Sequence, residues 1–208
     1  MDKILLLGEI NVNCYIIANN QQCYIVDPGY EKDKIKNYVL SKNLEVLGIL
    51  LTHGHVDHIG AIDCFDVPVN IHKDEYEMLF DNYKNGFDYY DRKKLYSPES
   101  LNIVTFDDSK IFQLNEKLIE VYHTPGHTAG GVCYKFGQEL YTGDTLFNRA
   151  VGRWDFPTGD LASLKNSIIR IIDGFDGDIE IFPGHGPAST IMQEKQRNQY
   201  YLNWKNEI

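Results

Sequence analysis

The stretch LLTHGHVDHIGA, Leu50 to Ala61, places four potential metal ligands within six residues, directly after an apolar run. The chain has only seven histidines, and this stretch contains three of them. A histidine-rich surface loop is one interpretation, and a metal site is the other. The metal interpretation requires further ligands from elsewhere in the chain. The four residues are His53, His55, Asp57 and His58.

Three later segments supply such ligands, each on a glycine-flanked turn that follows an apolar run. TPGHTAGG contains His127, YTGDTLF contains Asp144, and IFPGHGPA contains His185. Glycine allows the tight turns and the close backbone approach that converging ligands need. The repetition of one arrangement in distant segments indicates a single site that is assembled from several strand ends.

The number of ligands indicates how many ions such a site holds. A catalytic zinc ion usually takes three protein ligands and one water. Seven imidazole and carboxylate ligands exceed this, and they fit two divalent ions that share one carboxylate. We predict zinc as the metal. Iron and manganese are alternatives, because imidazole and carboxylate ligands accept all three metals. Two ions about 3.5–4 Å apart hold a hydroxide, so the site needs no serine or cysteine nucleophile.

The two remaining histidines are expected to lie outside this ligand set. His72 and His123 fall within predicted strands. His123 is also a candidate for orienting His127 or another ligand through a hydrogen bond, as residues behind a metal ligand often do.

Short apolar runs rich in Ile, Val and Tyr predict strands in both halves of the chain. Amphipathic spacing predicts helices over 30–43, 73–84, 160–175 and 190–206. Strands followed by helices in each half favour an α/β fold with two sheets stacked face to face and helices outside, a four-layer αββα sandwich. We expect residues 1–208 to form a single domain. The aromatic segment 82–100 is interpreted either as a surface excursion or as a flap over an active site.

Composition excludes several classes of function. The net charge is −10 and the sequence shows no basic stripe, which argues against a nucleic-acid partner. No apolar run approaches the length of about 20 residues that spans a bilayer, so we expect no membrane partner. The N-terminus lacks the pattern of a signal peptide, which predicts a cytoplasmic protein. The four scattered cysteines form no C-x-x-C pair and are expected to be buried free thiols.

The segments THGHVDHIG, TPGHTAGG, TGDTLF and FPGHG, in this order and after an early DPG, resemble the metallo-β-lactamase superfamily. This resemblance implies the αββα metallo-β-lactamase fold. It also assigns the ligands: His53, His55 and His127 to a first metal, Asp57, His58 and His185 to a second, and Asp144 as the bridge. Asp57 is further implied as the catalytic residue that orients the attacking water and helps to deprotonate it.

Finer features resemble one branch of the superfamily. The true β-lactamases have no aspartate at the position equivalent to Asp144, whereas an aspartate there is typical of the glyoxalase II-like enzymes. GDTLFNRAVGRWDFPTGD and the tail PGHGPASTIMQEKQRNQYY also resemble the short, single-domain glyoxalase II-like hydrolases. The reaction implied is hydrolysis of a thioester, such as an S-acylglutathione, by a metal-bound hydroxide. The partner is therefore expected to be a small-molecule acyl-thiol.

This sequence differs from full-length glyoxalase II in two features that concern substrate binding. The extra C-terminal helical domain of full-length glyoxalase II, which helps to bind glutathione, is not expected in this sequence. The Lys-x-Tyr pair of that family reads Arg153-Trp154-Asp155 here. Arg153 therefore either binds a substrate carboxylate or forms a structural pair with Asp155 or Asp160.

Other functions remain as alternatives. A persulfide dioxygenase of the same superfamily would hold one iron at His53, His127 and Asp144, and the RAVGRWDF stretch with Arg149 resembles that branch. Val151 stands where that branch usually has a cysteine. A phosphodiesterase or nuclease would carry insertions and a positive surface. A non-catalytic metal-binding module would saturate one ion with four ligands, fewer than the seven found here.

Overall fold

The computed structural model describes residues 2–7, 11–90 and 96–207. The strands are β1 (Asp2–Leu7), β2 (Asn11–Asn19), β3 (Gln22–Val26), β4 (Glu45–Leu50), β5 (Val69–His72), β6 (Ile103–Phe106), β7 (Ile111–Leu114), β8 (Lys117–His123), β9 (Val132–Phe136), β10 (Glu139–Gly143), β11 (Leu146–Phe147), β12 (Ala150–Val151), β13 (Glu180–Pro183) and β14 (Ser189–Thr190). The α-helices are α1 (Lys32–Ser41), α2 (Val56–Ile59), α3 (Leu161–Gly174), α4 (Ile191–Arg197) and α5 (Gln199–Lys205).

Two six-stranded sheets account for most of the strands. The first has the order β1-β2-β3-β4-β5-β6, and the second has the order β14-β13-β10-β9-β8-β7. Strands β11 and β12 form a small antiparallel pair. The turn between β6 and β7 carries the chain from the first sheet to the second. Each sheet therefore comes largely from one half of the sequence.

Side chains on β2 show how the layers are filled. Successive side chains of a strand point to opposite faces of the sheet. Tyr15 and Ile17 belong to the apolar cluster that lies between the two sheets. Cys14 and Ile16 face the other way, into a cluster that also contains Ile35 of α1. A third cluster joins the second sheet to helices α3, α4 and α5. These three apolar layers confirm the predicted αββα sandwich.

Helix α3 follows its predicted range closely. Its N-terminus is capped by Asp160, whose carboxylate accepts a hydrogen bond from the backbone of Ser163 (2.7 Å). Leu164, Ile168 and Ile171 are buried at helical spacing against the second sheet.

The prediction of a helix over 73–84 was wrong. Two short 3-10 turns occupy this region, Lys73–Glu75 and Glu77–Phe80. The reason is the side chain of Glu75, which is buried and accepts hydrogen bonds from the backbone of Gly54 and Gly130. These long-range hydrogen bonds hold the residue in place, and the local helical preference does not prevail.

The C-terminal helix predicted over 190–206 is two helices, because the chain breaks at Asn198. The side-chain oxygen of Asn198 accepts hydrogen bonds from the backbone of Tyr200 and Tyr201 and so begins a new helix. Its amide group donates to the carbonyl of Ala150 in β12 (3.1 Å). The break thereby fixes the end of the chain to the segment that follows Asp144.

Loops at one end of the sandwich carry the predicted ligands. Strands β3, β4 and β5 are parallel, as are β10 and β13, so their carboxyl ends meet at this end. The hairpins that join β2 to β3, β7 to β8 and β9 to β10 lie at the opposite end. Two of these hairpins contact one another, since Asn19 donates a hydrogen bond to the carbonyl of Leu114 (3.1 Å).

Two other sequence-based expectations concern the whole chain. The cysteines are free and buried, as predicted: Cys14, Cys23, Cys64 and Cys133. Over the residues that the structure describes, no helix combines the length and apolar character needed to cross a membrane.

Candidate metal centre

The first predicted group of ligands lies close together. Donor atoms of His53, His55 and His127 lie within 4.8 Å of one another. His55 Nδ1 is 2.9 Å from His127 Nε2, and the ring of His53 lies 4.9 Å from the ring of His127. All three side chains are buried. The loop after β4 and the loop after β8 therefore meet at one point.

The second predicted group lies beside the first. Donor atoms of Asp57, His58 and His185 also lie within 4.8 Å of one another. His185 Nε2 is 3.0 Å from Asp57 Oδ2, and His58 Nε2 is 3.6 Å from the same oxygen. Asp57 and His58 both lie on the single turn of α2. This turn separates their side chains from those of His53 and His55, which precede it.

Asp144 lies between the two groups. Its Oδ1 is 3.4 Å from His58 Nε2, and its Oδ2 is 3.5 Å from His185 Nε2. The same Oδ2 is 3.8 Å from Nε2 of His127, which belongs to the first group. One carboxylate thus approaches predicted ligands of both groups, which is the position that a shared ligand requires.

Asp27 organises the ligands behind the centre. Its Oδ2 accepts hydrogen bonds from His58 Nδ1 (2.8 Å) and from the hydroxyl of Thr52 (2.6 Å). Because the Thr52 hydrogen goes to Asp27, the Thr52 oxygen is free to accept from His53 Nδ1, 3.0 Å away. Both histidines are therefore held with Nε2 directed into the centre.

Backbone carbonyls do the same for two further histidines. His127 Nδ1 donates to the carbonyl of Arg153 (2.7 Å), and His185 Nδ1 donates to the carbonyl of Asn11. Histidines that bind metals usually donate their second ring N–H in this way, which fixes the tautomer and the ring orientation. Nε2 of each ring is left with a lone pair that faces the other ligands.

Glu75 holds the two loops of the first group together. Its Oε2 accepts from the backbone N–H of Gly54, between His53 and His55 (2.9 Å). Its Oε1 accepts from the backbone N–H of Gly130, just after His127 (2.7 Å). Burial raises the pKa of this carboxyl group, and the hydrogen bonds from the two loops oppose that effect. One side chain therefore sets the distance between two ligand loops.

Buried polar atoms of the centre have no partner within the protein. His53 Nε2, His58 Nε2 and Asp144 Oδ1 are buried and accept no hydrogen bond. Such atoms are costly, and each calls for an explanation. Nitrogen and carboxylate lone pairs that converge in this way are the donors that zinc, iron and manganese take. The centre therefore fits a bound metal.

The pKa shifts of the first group and of Asp144 agree with this arrangement. Burial lowers the pKa of His53 well below its usual value, and it lowers that of His55 to about 3, with neighbouring histidines adding to the effect. These rings are therefore neutral and have lone pairs available. Although burial opposes the charged form of Asp144, His58 and His185 outweigh it and hold the pKa of Asp144 well below its usual range. Asp144 is thus an ionised carboxylate.

In the second group, the pKa values of His58 and His185 are raised. Burial opposes this shift, and the carboxylates of Asp57 and Asp144 outweigh it. A bound ion would therefore have to displace the protons of these two rings.

Gly184 leaves the space that Asp144 occupies. A Cβ at position 184 would lie 2.3 Å from Asp144 Oδ1 and 2.8 Å from the ring of His58. No side chain fits there without displacing the carboxylate. The glycine before His185 is therefore required by close approach, as the sequence indicated.

A pocket of about 420 Å³ opens directly over the centre. The predicted ligands His55, Asp57, His127, Asp144 and His185 form its floor. Residues Tyr83–Gly86 form one wall, and residues Arg153, Asp155, Phe156 and Pro157 form the other. A ligand in this pocket would contact the centre on one side and a mixture of apolar, polar and charged side chains on the others.

The wall at Tyr83–Gly86 belongs to the segment interpreted as either an excursion or a flap. The backbone N–H of Val56, at the start of α2, donates to the carbonyl of Asn85 (2.9 Å). Asn85 and Phe87 are both buried. This part of the segment is thus attached to the loop that carries the predicted ligands. Residues 91–95, within the same segment, lie outside the described residues.

Arg153 adopts the structural pairing that the sequence left open. Its guanidinium forms two hydrogen bonds with Asp155 (2.9 and 2.8 Å) and lies 4.1 Å from the ring centre of Phe156. It still lines the pocket. Its partner is Asp155, while Asp160 caps helix α3.

The role suggested for His123 was wrong. Its Nε2 faces the carbonyl of Ala129 and its Nδ1 faces Asp108, whereas His127 is oriented by the carbonyl of Arg153. Sequence reasoning also missed Thr52 and Glu75. Thr52 directly precedes His53, so its position beside the ligands was a usable signal. Glu75 lies far from any ligand in sequence and gave none.

The sequence matches the model of the Metallo-beta-lactamase superfamily over residues 7–185. The chain, with its histidine- and aspartate-lined centre, belongs to this superfamily. Its relatives include the "Probable metallo-hydrolase YqgX" of Bacillus subtilis (strain 168), which is 32% identical over 200 residues, or 93% of this chain and 94% of the relative.

Two solved structures are similar over nearly the whole chain. The first is that of BLEG-1 B3 metallo-beta-lactamase, with a TM-score of 0.88 and 32% identity, covering 96% of this chain and 98% of that one. The second is that of TTHA1623 in a di-iron-bound form, with a TM-score of 0.83 and 27% identity, covering 96% of this chain and 100% of that one. A metal-dependent hydrolase is the class that the family and its relatives support.

Proposed function

We propose that this protein hydrolyses a thioester, of the S-acylglutathione type, with two divalent metal ions. The observation that carries the proposal is the position of Asp144. Its two oxygens lie 3.4 and 3.5 Å from His58 and His185, and 3.8 Å separates it from His127. A carboxylate placed between two groups of three ligands is suited to bridging two ions. The di-iron form of TTHA1623 is a precedent for two metals on this fold.

The residues divide into two sets in this proposal. His53, His55 and His127 would hold one ion, Asp57, His58 and His185 would hold the other, and Asp144 would be shared. When bound, two such ions lower the pKa of a water and stabilise negative charge on an attacked carbonyl. Zinc suits the nitrogen and oxygen donors, and iron and manganese are also compatible.

Asp57 is proposed to direct the proton of the attacking water. Its carboxylate lies at the base of the pocket, and its Oδ2 is 3.0 Å from His185 Nε2. Although burial raises the pKa of Asp57, His58 and His185 outweigh this effect, and the pKa is lowered overall. An ionised carboxylate at this position can accept a hydrogen bond from water and hold its oxygen toward a substrate.

The pocket walls suit an acyl-thiol. Phe156 and Pro157 offer apolar surface for an acyl chain. Arg153 and Lys84 bring cationic groups to the rim, where they are paired with Asp155 and Glu77. A thiol has a pKa of about 8.5, so a thiolate leaves more readily than an amine or an alcohol. Arg153 is proposed to attract a substrate carboxylate while it remains paired with Asp155.

The test is a panel of substrates with the purified, metal-loaded protein. We expect hydrolysis of S-lactoylglutathione and other S-acylglutathiones, measured by thiol release, and a large loss in the Asp144→Asn variant. The variant Asp33→Asn, on the exposed face of α1, is the control. Thioesters that are not cleaved, together with oxygen uptake on glutathione persulfide and one iron per chain, would replace this proposal with the dioxygenase alternative.

A β-lactamase activity is the second candidate. It is favoured by the 32% identity to BLEG-1 B3 metallo-beta-lactamase over nearly the full length of both chains. A β-lactam is a strained amide, and a water activated at the same centre would attack its carbonyl. The same panel should therefore include a chromogenic cephalosporin. A kcat/KM for the cephalosporin that exceeds the value for every thioester would reverse the order of the two candidates.

A further inference from the structure

A separate group of potential ligands lies outside the centre described above. It comprises His72 at the end of β5, Asp108 in the turn between β6 and β7, and His123 at the end of β8. His72 Nε2 is 2.9 Å from Asp108 Oδ1, and His123 Nδ1 is 3.3 Å from the same oxygen. One atom from each residue lies within 4.8 Å of the others.

The tautomer of His123 follows from its second nitrogen. Nε2 is 3.0 Å from the carbonyl oxygen of Ala129. A carbonyl only accepts hydrogen bonds, so Nε2 carries a hydrogen. In the neutral ring, Nδ1 then has a lone pair, and this lone pair faces the Asp108 carboxylate, which offers only lone pairs as well. Two acceptors that face each other require a cation between them, either a proton or a metal ion.

The tautomer of His72 follows from its Nδ1. This nitrogen accepts a hydrogen bond from the backbone N–H of Asp74 (3.4 Å), so Nε2 carries the hydrogen and donates to Asp108 (2.9 Å). An ion that binds between the three residues would replace this hydrogen, and Nδ1 would then face the Asp74 carboxylate, 3.7 Å away. Histidines that bind metals typically donate their second N–H to a carbonyl or a carboxylate. His123 has the carbonyl of Ala129 for this purpose, and with an ion bound His72 would have the carboxylate of Asp74.

The spacing of the donor atoms also fits an ion. In a tetrahedral zinc site with Zn–N distances of 2.0–2.1 Å, neighbouring ligand atoms lie roughly 3.3 Å apart. The two distances to Asp108 are 2.9 and 3.3 Å. The rings of His72 and His123 are stacked, with planes 15° apart, so a bound ion would open this angle. The side chain of Asp108 is 66% exposed, which leaves one side open to a water ligand.

We propose that His72, Asp108 and His123 form an additional site for a divalent transition-metal ion such as zinc. The site is distinct from the centre that carries the hydrolytic chemistry. It joins the first sheet, through β5, to the second sheet, through β8. The carbonyl of Ala129, which accepts a hydrogen bond from His123, lies in the loop that also carries His127. An ion bound to His123 would therefore restrain the position of that loop.

Zinc titration of the full chain tests this site. Metal content is measured after equilibration at increasing free Zn²⁺, and the wild-type protein is expected to bind one more ion per chain than Asp108→Asn or His123→Gln. Asp107→Asn removes the same charge from the neighbouring exposed position and is the matched control. Crystals grown with Zn²⁺ should show anomalous density between the three side chains.

The outcomes separate the site from nonspecific binding. Equal zinc content in wild type and Asp108→Asn at every Zn²⁺ concentration would overturn the proposal. An equal loss in Asp107→Asn would overturn it too, since it would assign the extra ion to surface charge. If His123→Gln does not fold, Asp108→Asn decides, because the side chain of Asp108 is mostly exposed. Metal content at low Zn²⁺ should stay the same in all variants, which keeps this test independent of the hydrolytic centre.

Discussion

Asp27 Oδ2 accepts a hydrogen bond from Nδ1 of His58 at 2.8 Å, and both side chains are buried. This contact joins the end of β3 to the turn of α2. Because the same carboxylate also accepts from Thr52, one aspartate orients predicted ligands on both sides of the centre.

Replacement of Asp27 by Asn should weaken metal binding without removing a ligand. Asp27 accepts from His58 Nδ1, from the Thr52 hydroxyl and from the Thr52 backbone N–H (2.8 Å). An amide has one acceptor oxygen, so it cannot serve these three donors together. We expect metal affinity to fall roughly 10- to 100-fold, the usual range for residues behind a metal ligand. Competition with a chromogenic chelator measures the change. An affinity equal to that of the Asp33→Asn control would show that Asp27 does not orient the ligands.

Replacement of Glu75 by Gln should disturb the first group of ligands. Glu75 accepts from Gly54 and Gly130, and a glutamine would present an NH₂ group to one of these two N–H groups. A buried donor left without an acceptor costs about 1–3 kcal/mol. We expect a lower Tm and weaker metal binding. Glu116→Gln, an exposed change at the far end of the sandwich, should alter neither property.

Gly184→Ala should displace Asp144. The new methyl group would lie 2.3 Å from Asp144 Oδ1, so the carboxylate has to move away from the position between the two groups. We expect kcat/KM to fall by roughly 10- to 100-fold or more, as for other changes that misplace a metal ligand. Gly174→Ala is the matched control, since a Cβ there meets no atom within 4 Å. Similar activity in the two variants would contradict the prediction.

Removal of metal should lower thermal stability. The predicted ligands come from loops of both sheets, so an ion bound by the folded state stabilises the whole sandwich. At a free metal concentration about 1,000 times the Kd, this stabilisation is about 4 kcal/mol. For a chain of this size it corresponds to a Tm shift of roughly 8–16 °C. Scanning calorimetry with and without chelator measures the shift, and added Zn²⁺ should restore it. An unchanged Tm would mean that the ligands hold no ion.

Arg153 offers a test of substrate charge. If it attracts a substrate carboxylate, Arg153→Gln should raise KM for an S-acylglutathione and leave kcat nearly unchanged. A neutral thioester, such as an acylated N-acetylcysteamine, should show no such rise. Because Arg153 is paired with Asp155, the Asp155→Asn variant reports whether the lost ion pair alone alters the pocket. The same KM increase in both variants would assign Arg153 a structural role.

The sequence predicted the layers of the fold because strand alternation and helix amphipathicity are local signals. Tyr15 and Cys14 are adjacent and face opposite layers, as a period of two requires. The convergence of His53, His127 and His185 was also predictable, because each follows an apolar run on a glycine-rich turn. Strand ends that share one edge bring such turns together.

Long-range hydrogen bonds explain the errors. Glu75 lies in a segment with helical spacing, and contacts with Gly54 and Gly130 hold it in a 3-10 turn. Asn198 looks like an ordinary position within a helix, and its contacts with Ala150 and Tyr200 divide the helix in two. His123 is four residues from His127 in sequence, yet its ring faces Asp108. No local pattern carries this information.

The hairpins at the far end of the sandwich have a practical consequence. They join β2 to β3, β7 to β8 and β9 to β10, and the predicted ligands lie on loops at the other end. At Gly137, between β9 and β10, φ is +61° and an added Cβ would meet no atom within 4 Å. Residue 137 should therefore remain glycine, and a fluorescent label at the exposed Gln138 or a peptide insertion after Gly137 can be placed there while the pocket stays open to substrate.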